Sequence, residues 1–260
     1  MSIFAEQVFN PSEIKPTFDE KVFSKKETIF IWIDILGFKD KLKDVENYDE
    51  LALLLDYFQD LFAQKEGLYR TTVISDGIVL ELNPYREQWN FENVKACFDD
   101  IKRKQLEFIL KKKYVIRGAI VLGTSRLKKE GDRNYISNGL SFAYELESKG
   151  INWPIIGTNS FFFNRINAVY QEVDRPQPFK DLFKKTLTPN GQDVYFFDVY
   201  SDLEGEERSI VEKIIQDQLR NHQEEKDRPV YNKYIWLYKC MHNYKGSKAA
   251  LDTELEEIVL

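Results

Sequence analysis

Apolar runs along the chain alternate with segments in which apolar positions recur at helical spacing. Residues 28–35 form a β-branched and aromatic run without polar alternation, which predicts a strand buried on both faces. Residues 49–63 and 91–112 carry apolar side chains at helical spacing and predict two amphipathic helices. Apolar runs at 71–74 and 78–82 flank Ser75-Asp76-Gly77, and an Asp-Gly pair in that position predicts a β-hairpin.

The rest of the chain continues this mixed pattern. Further strands are predicted at 114–121, 153–156 and 193–199, and helices at 138–149, 158–168 and, in two pieces broken by Pro229, 203–245. The order β-α-β-β-α-β-α-β predicts an α+β fold of the ferredoxin-like, split βαβ type with C-terminal helices. We expect an extended N-terminal lead-in at 1–27, a main domain at 28–200 and a helical extension at 201–260.

Composition narrows the class of protein. The 260 residues include 37 Lys and Arg against 43 Asp and Glu, a net charge of −6, which disfavours nonspecific binding to nucleic acid. With two cysteines and two histidines, the chain lacks the ligands of a Cys/His zinc site. No signal peptide is evident, and the apolar stretch at 29–38 is too short to cross a membrane. These features predict a cytoplasmic protein with neither nucleic-acid nor membrane partners.

Two carboxylates stand where metal chemistry is possible. Asp34 follows an apolar strand and precedes Gly37, which allows a tight turn and a close backbone approach to an anion. Asp76 lies at the tip of the predicted hairpin. If the hairpin pairs beside the first strand, the two carboxylates converge, and a divalent cation relieves their repulsion. Oxygen ligands indicate Mg²⁺ or Mn²⁺. Alternatively, Asp34 caps the segment beginning near Gly37 and Asp76 only forms a turn.

These residues, taken in order, resemble the class III nucleotidyl cyclases. The family's Asp-Ile-x-Gly-Phe motif is matched by residues 34–38, and its second metal aspartate by Asp76, which here follows Ser75 instead of glycine. The family's Arg-x-Gly-x-x-x-Gly strand looks like residues 117–123, and its segment ending in Leu-Glu-Ser looks like residues 134–148. The resemblance covers roughly residues 28–160.

The resemblance implies that the 28–200 domain is catalytic and cyclises a nucleoside triphosphate with two Mg²⁺ or Mn²⁺ ions per active site. It implies metal ligation by Asp34, Asp76 and the Ile35 carbonyl, and phosphate binding by the amides of Leu36, Gly37 and Phe38. It also implies a homodimer whose active sites lie at the interface.

Departures from the family's pattern point to a subgroup. Thr72 and Asn134 occupy the positions of the Lys and Asp that read adenine, so we expect ATP to be disfavoured.

Ser141 and Glu145 occupy the positions of the transition-state Asn and Arg. Loss of that Arg should lower the reaction rate strongly unless another cation replaces it, and the candidates are Arg117 and Arg70. This pattern resembles the bacterial pyrimidine cyclases of Pycsar type, which make cyclic UMP or cyclic CMP in antiphage defence.

Two other interpretations remain open. The chain could be a catalytically degenerate cyclase-homology domain that binds nucleotide or dimerises for signalling, as Ser141 and Glu145 would favour. It could also be a palm-type polymerase or a two-metal nuclease built on the same sheet. The absence of a Gly-Gly-Asp/Glu-Glu/Asp-Phe turn and the acidic composition both weaken that last interpretation.

Overall fold

The structure, a computed structural model, describes residues 27–63, 68–82, 90–124, 137–151, 153–172, 176–188, 191–222 and 228–242. Asn134 and nearly all of the predicted lead-in at 1–27 lie outside the described residues. The predicted domain boundaries at residues 27 and 200 stay predictions.

Seven strands and seven helices make up the described secondary structure, together with short 3-10 and π-helical turns. The strands are β1 (Glu27–Ile35), β2 (Arg70–Ile74), β3 (Gly77–Leu82), β4 (Ile116–Thr124), β5 (Ile156–Asn159), β6 (Lys184–Leu187) and β7 (Asp193–Phe196). The helices are α1 (Phe38–Lys41), α2 (Tyr48–Leu61), α3 (Phe91–Lys112), α4 (Asn138–Glu145), α5 (Ser160–Val169), α6 (Gly205–Asn221) and α7 (Arg228–Met241). A π-helical turn, Leu146–Ile151, follows α4 directly.

The sheet confirms the predicted α+β, split βαβ fold. Its strands run in the order β2-β3-β1-β4-β5-β7-β6. Each of the first four is antiparallel to its neighbour, with α2 connecting β1 to β2 and α3 connecting β3 to β4. This is the ferredoxin-like arrangement. Beyond it, β5 pairs parallel to β4, and β7 and β6 extend the sheet with antiparallel pairing.

Strand β1 is central because both of its faces are covered. Ile29, Ile31 and Ile33 belong to the core between the sheet and helices α2 and α3. Phe30 and Trp32 point to the opposite face, where they pack with Ala143 of α4. Side chains alternate along a strand, so Asp34 falls on the same face as Trp32. The carboxylate of Asp34 therefore emerges beside α4, at the carboxyl end of a buried strand.

The two C-terminal helices pack on the sheet through a second core. Val211 and Ile215 of α6 and Leu237 of α7 are buried in it with Ala119 of β4 and Phe196 of β7. Trp236 stacks on Trp153 with ring centroids 5.4 Å apart.

Three sequence predictions are corrected in detail. The C-terminal region is helical in two pieces, as predicted, but Pro229 lies in the first turn of the second piece, α7, where a residue without an N–H is tolerated. The strand predicted at 153–156 is shifted to Ile156–Asn159, beyond Pro154, which has no N–H for strand pairing. The helix predicted at 138–149 gives way to the π-helical turn after Glu145.

Candidate active site

Asp34 stands between two neighbouring strands at one end of the sheet. In the strand register it lies opposite Gly77 of β3 and opposite Arg117 of β4. Its side chain is 13% exposed, so a carboxylate is held largely out of water at the end of a buried strand. Such a group requires a cation or hydrogen-bond donors nearby.

The hairpin places Asp76 beside Asp34. Ser75 and Asp76 form the two-residue turn between β2 and β3, and Asp76 immediately precedes Gly77, the residue paired with Asp34. Directly opposed residues on antiparallel strands are about 5 Å apart. The structure therefore brings the two aspartates together at the same end of the sheet, and the negative charge of Asp76 contributes to raising the pKa of Asp34.

Arg117 joins Asp34 to a second buried acid. Its Nε and Nη2 donate to the two carboxylate oxygens of Asp34 at 3.0 and 3.2 Å. Its Nη1 lies 2.6 Å from Oε1 of Glu147, a side chain only 3% exposed. All three nitrogens of one guanidinium are thus engaged by carboxylates from β1 and from the π-helical turn.

Glu147 is a residue of the site that the sequence reasoning missed. It belongs to the Leu-Glu-Ser motif, and it lies four residues after the buried Ala143. That spacing puts it on the buried side of a continuing helix, and a glutamate there is the available sequence signal. A π-helical turn is itself a feature often found at functional sites.

Burial controls the titration of these groups. It raises the pKa of Asp34, an effect that Arg117 partly offsets. Burial and the negative charge of Asp34 raise the pKa of Glu147 to about 7. Burial opposes the charge on Arg117, but the attraction of Asp34 and Glu147 outweighs it and raises the pKa of the guanidinium.

Helix α7 brings a second cation to this group of charges. Lys233 precedes Tyr234, which shares the second core with Leu36 and Val115, neighbours of Asp34 and Arg117 in the chain. The positive charge of Lys233 acts to lower the pKa of both Asp34 and Glu147. Burial lowers the pKa of Lys233 itself, and the positive charge of Arg117 lowers it further. The sequence reasoning also missed this residue.

The turn after β1 fits part of the predicted phosphate cradle. Gly37 has φ of 80°, a left-handed conformation that glycine adopts without strain, and it is the N-cap residue of α1. The amide of Leu36, however, donates to the carbonyl of Val115 at 2.9 Å. That amide is therefore already used within the fold, and the predicted cradle is reduced to the amides of Gly37 and Phe38.

Other predicted residues lie at different distances from Asp34. Arg70 pairs with Glu81 in a row of residues that lies four positions, roughly 13 Å, along the sheet from Asp34, and Arg70 is also two strands across from it. The structure thus does not bring Arg70 to the site. Thr72 lies opposite Val79, which lies opposite Trp32, so Thr72 shares the sheet face of Asp34 but lies two strands across and two residue positions along the sheet from it.

Ser141 and Glu145, which occupy the positions of the family's transition-state Asn and Arg, lie on the accessible side of α4. Ser141 is exposed, and Tyr144 is 57% exposed while its ring contacts Trp32 edge-on. Glu145 pairs with Lys149 at 2.9 Å, one helical turn further on.

The donor set is compatible with a hard divalent cation. Among the described residues, no group of three or more His, Cys, Asp and Glu side chains is arranged to hold a metal ion. Asp34 and Asp76 nevertheless supply carboxylates from adjacent strand ends, and the Ile35 carbonyl is a further oxygen beside them. Oxygen donors of this kind suit Mg²⁺ and Mn²⁺, which also take ligands from substrate phosphates.

Comparison with known proteins gives structural neighbours only. No family model matches the sequence, and no curated protein matches it. The adenylyl cyclase CyaB from P. aeruginosa has 16% identity and a TM-score of 0.48, covering 69% of this chain and 97% of its own. A bacterial light-regulated adenylyl cyclase has 13% identity and a TM-score of 0.40, covering 74% and 97%. Similarities this weak do not identify the activity of the chain.

None of the described helices is long and apolar enough to cross a bilayer.

Proposed function

We propose that this chain is a metal-dependent nucleotidyl cyclase that converts UTP or CTP to the 3′,5′-cyclic monophosphate and pyrophosphate. The observation that carries the proposal is the pairing of β1 with the β2–β3 hairpin, which puts Asp34 and Asp76 side by side at one end of a split βαβ sheet. Arg117 lies against Asp34 and adds a cation suited to phosphate oxygens.

The proposed reaction forms one bond and breaks one. The ribose 3′-oxygen attacks the α-phosphorus, its proton passes to solvent, and the bond between the α-phosphorus and the bridging oxygen breaks to release pyrophosphate. Two Mg²⁺ or Mn²⁺ ions, when bound, would lower the pKa of the 3′-hydroxyl and neutralise the triphosphate. Asp34, Asp76 and the Ile35 carbonyl would hold them, while Arg117 and the amides of Gly37 and Phe38 would bind phosphate oxygens.

The preference for a pyrimidine is proposed from the resemblance to the Pycsar-type enzymes. Thr72 and Asn134 replace the Lys and Asp that read adenine in purine cyclases. Thr72 lies on the sheet face of Asp34, so a base bound beside the triphosphate would meet a hydroxyl there rather than an ammonium group. The homodimer, the cytoplasmic location and the role in antiphage signalling are proposed from the same resemblance. The exposed surface of Ser141 and Tyr144 is available for a second subunit.

The test is incubation of the purified protein with each of the four nucleoside triphosphates and Mn²⁺, followed by chromatographic separation of the products. We expect cyclic UMP or cyclic CMP plus pyrophosphate, and no cyclic AMP. Asp34→Asn and Asp76→Asn should abolish turnover, whereas Asp99→Asn, which alters a surface carboxylate paired with Lys95 on α3, should not. Turnover that survives both Asp34→Asn and Asp76→Asn would refute the proposed metal site.

A degenerate cyclase-homology domain is the second candidate. Two observations favour it: Asp34 is engaged on both oxygens by Arg117, and Glu145, at the position of the family's transition-state Arg, carries the opposite charge. Nucleotide binding that requires Mn²⁺ and yields no product with any of the four triphosphates would select this candidate.

A further inference from the structure

Arg117 holds two acids with two different parts of its guanidinium group. The edge formed by Nε and Nη2 is bound by Asp34, and Nη1 is directed to Glu147 at 2.6 Å. A guanidinium edge of this kind binds a carboxylate or a phosphate with equal geometric fit. Asp34 therefore occupies the part of Arg117 that would otherwise be free for a phosphate.

Divalent cations at Asp34 are incompatible with this pairing. A guanidinium and a divalent ion on the same carboxylate repel each other strongly in a site that is largely closed to water. When Asp34 turns to a cation, Arg117 must release it, and a released arginine that is 22% exposed could turn away to solvent. The second carboxylate is what keeps it in place.

The burial of Glu147 is not explained by a contribution to stability. It is nearly fully buried, and among the described residues its one ion pair within 4 Å is the pair with Arg117. Oε1 of Glu147 makes no hydrogen bond of regular geometry to a described residue. A buried carboxylate with a single cationic partner is weak evidence for a stabilising role, because an apolar residue of similar size would pack as well.

The geometry points to Glu147 as a positioning residue: it retains Arg117 through Nη1 while the Nε–Nη2 edge exchanges Asp34 for a phosphate oxygen of the substrate. This inference rests on the proposed function, since it requires Asp34 to bind a divalent cation. It gives the π-helical turn a role and accounts for a buried acid that is not one of the proposed metal ligands.

Mn²⁺ binding, measured by calorimetry without substrate, tests the exchange. We expect Arg117→Gln to tighten Mn²⁺ binding because Asp34 is freed. Glu147→Gln should weaken it roughly tenfold, the scale of other residues that support metal ligands, because Arg117 then depends on Asp34 alone. In the Arg117→Gln background, Glu147→Gln should have little further effect. Glu147→Asp, which keeps the charge, should recover part of the loss.

Binding of inorganic tripolyphosphate in the presence of saturating Mn²⁺ tests the second half of the exchange. Arg117→Gln should weaken it most, Glu147→Gln less, and Glu147→Asp least. The control is Glu212→Gln, which removes another glutamate paired with an arginine, Arg208, on α6 and should change neither affinity.

The outcomes separate this inference from the proposed function. An equal effect of Glu147→Gln with and without Arg117 would overturn the inference, because the charge of Glu147 would then act directly on the cation. Coupled Mn²⁺ binding without any cyclic product would overturn the proposed function and leave the inference standing. A wild-type protein that binds no Mn²⁺ would overturn both.

Discussion

The six-membered ring of Trp32 fills the space that a side chain at Gly77 would need. A Cβ atom at Gly77 would stand 2.3 Å from Cη2 of Trp32, far inside van der Waals contact. In the Asp-Gly pair that predicts the hairpin, glycine is therefore required by packing and not by the turn. Gly77 is the first residue of β3, whereas Ser75 and Asp76 form the turn. This contact lies next to both aspartates, since Gly77 follows Asp76 in the chain and pairs with Asp34.

We expect Gly77→Ala to destabilise the fold by about 1–3 kcal/mol, the usual range for overpacking, measured by urea unfolding. It should also weaken Mn²⁺ binding because the hairpin tip that carries Asp76 must move. Combining Gly77→Ala with Trp32→Leu should recover part of that loss. If the two changes are simply additive, the packing of Trp32 on Gly77 does not set the hairpin position.

Ser75 is held in a backbone conformation that favours glycine. Its φ is 57°, in the left-handed region, which costs a residue with a Cβ about 1 kcal/mol. Ser75→Gly should therefore stabilise the protein by about 0.5 kcal/mol after the added flexibility of the unfolded chain is deducted, a rise in Tm of about 1–2 °C. Ser75→Ala, which keeps the Cβ, should give no rise. A rise for alanine as large as that for glycine would contradict backbone strain as the cause.

The main elements of the fold could be predicted because each has a strong local pattern. The helical periodicity at 91–112 matches α3 at Phe91–Lys112, and the uninterrupted apolar run at 28–35 matches β1. Strand β6 had no such signal: Lys184–Leu187 is a short, polar segment whose pairing with β7 depends on the tertiary fold. The strands at the β6 edge of the sheet are short throughout, and short strands are specified mainly by their partners.

The candidate site could likewise be predicted only in part from the sequence. The proximity of Asp34 and Asp76 could be predicted from the sequence. A hairpin pairs its own two strands, so only one further pairing, that of the hairpin with β1, had to be assumed. Glu147 and Lys233 arrive from segments 113 and 199 positions after Asp34, through the packing of the π-helical turn and of α7. Hydrophobic periodicity marks such helices as amphipathic but does not say which polar neighbour their flanking side chains meet.

Stability should depend on pH through Glu147. Its pKa is about 7 in the folded protein against 4.5 ordinarily, so the folded state holds the proton more tightly. The contribution is fully present below pH 4.5 and is lost as pH rises from about 4.5 to 7, a difference on the order of 3 kcal/mol at about 1.4 kcal/mol per pKa unit. Asp34, Arg117 and Lys233 are the charges that face it and modify this value.

Urea unfolding at several pH values between 4.5 and 8 measures this dependence. Glu147→Gln, which is neutral throughout, should flatten the decline between pH 5 and 7. Asp34 also has a raised pKa, so a shallower decline in the same direction should remain in the variant. A wild-type protein whose stability rises across this interval, with the variant unchanged from it, would be inconsistent with a protonated Glu147 at low pH.

Lys233 should contribute to binding of the substrate triphosphate. It is a half-buried cation on α7 whose charge acts on Asp34 and Glu147, and a triphosphate bound at the proposed metal site would add several negative charges. We expect Lys233→Met, which keeps the length of the side chain, to raise KM for the triphosphate about fivefold, on the order of 1 kcal/mol. Because Lys233 also lowers the pKa of Glu147, the midpoint of the pH dependence should move upward in the variant. Lys239→Met on the same helix is the control, and it should leave both KM and the midpoint unchanged. If KM is the same in Lys233→Met and in the wild type while the midpoint moves, the lysine faces the buried acids but not the triphosphate.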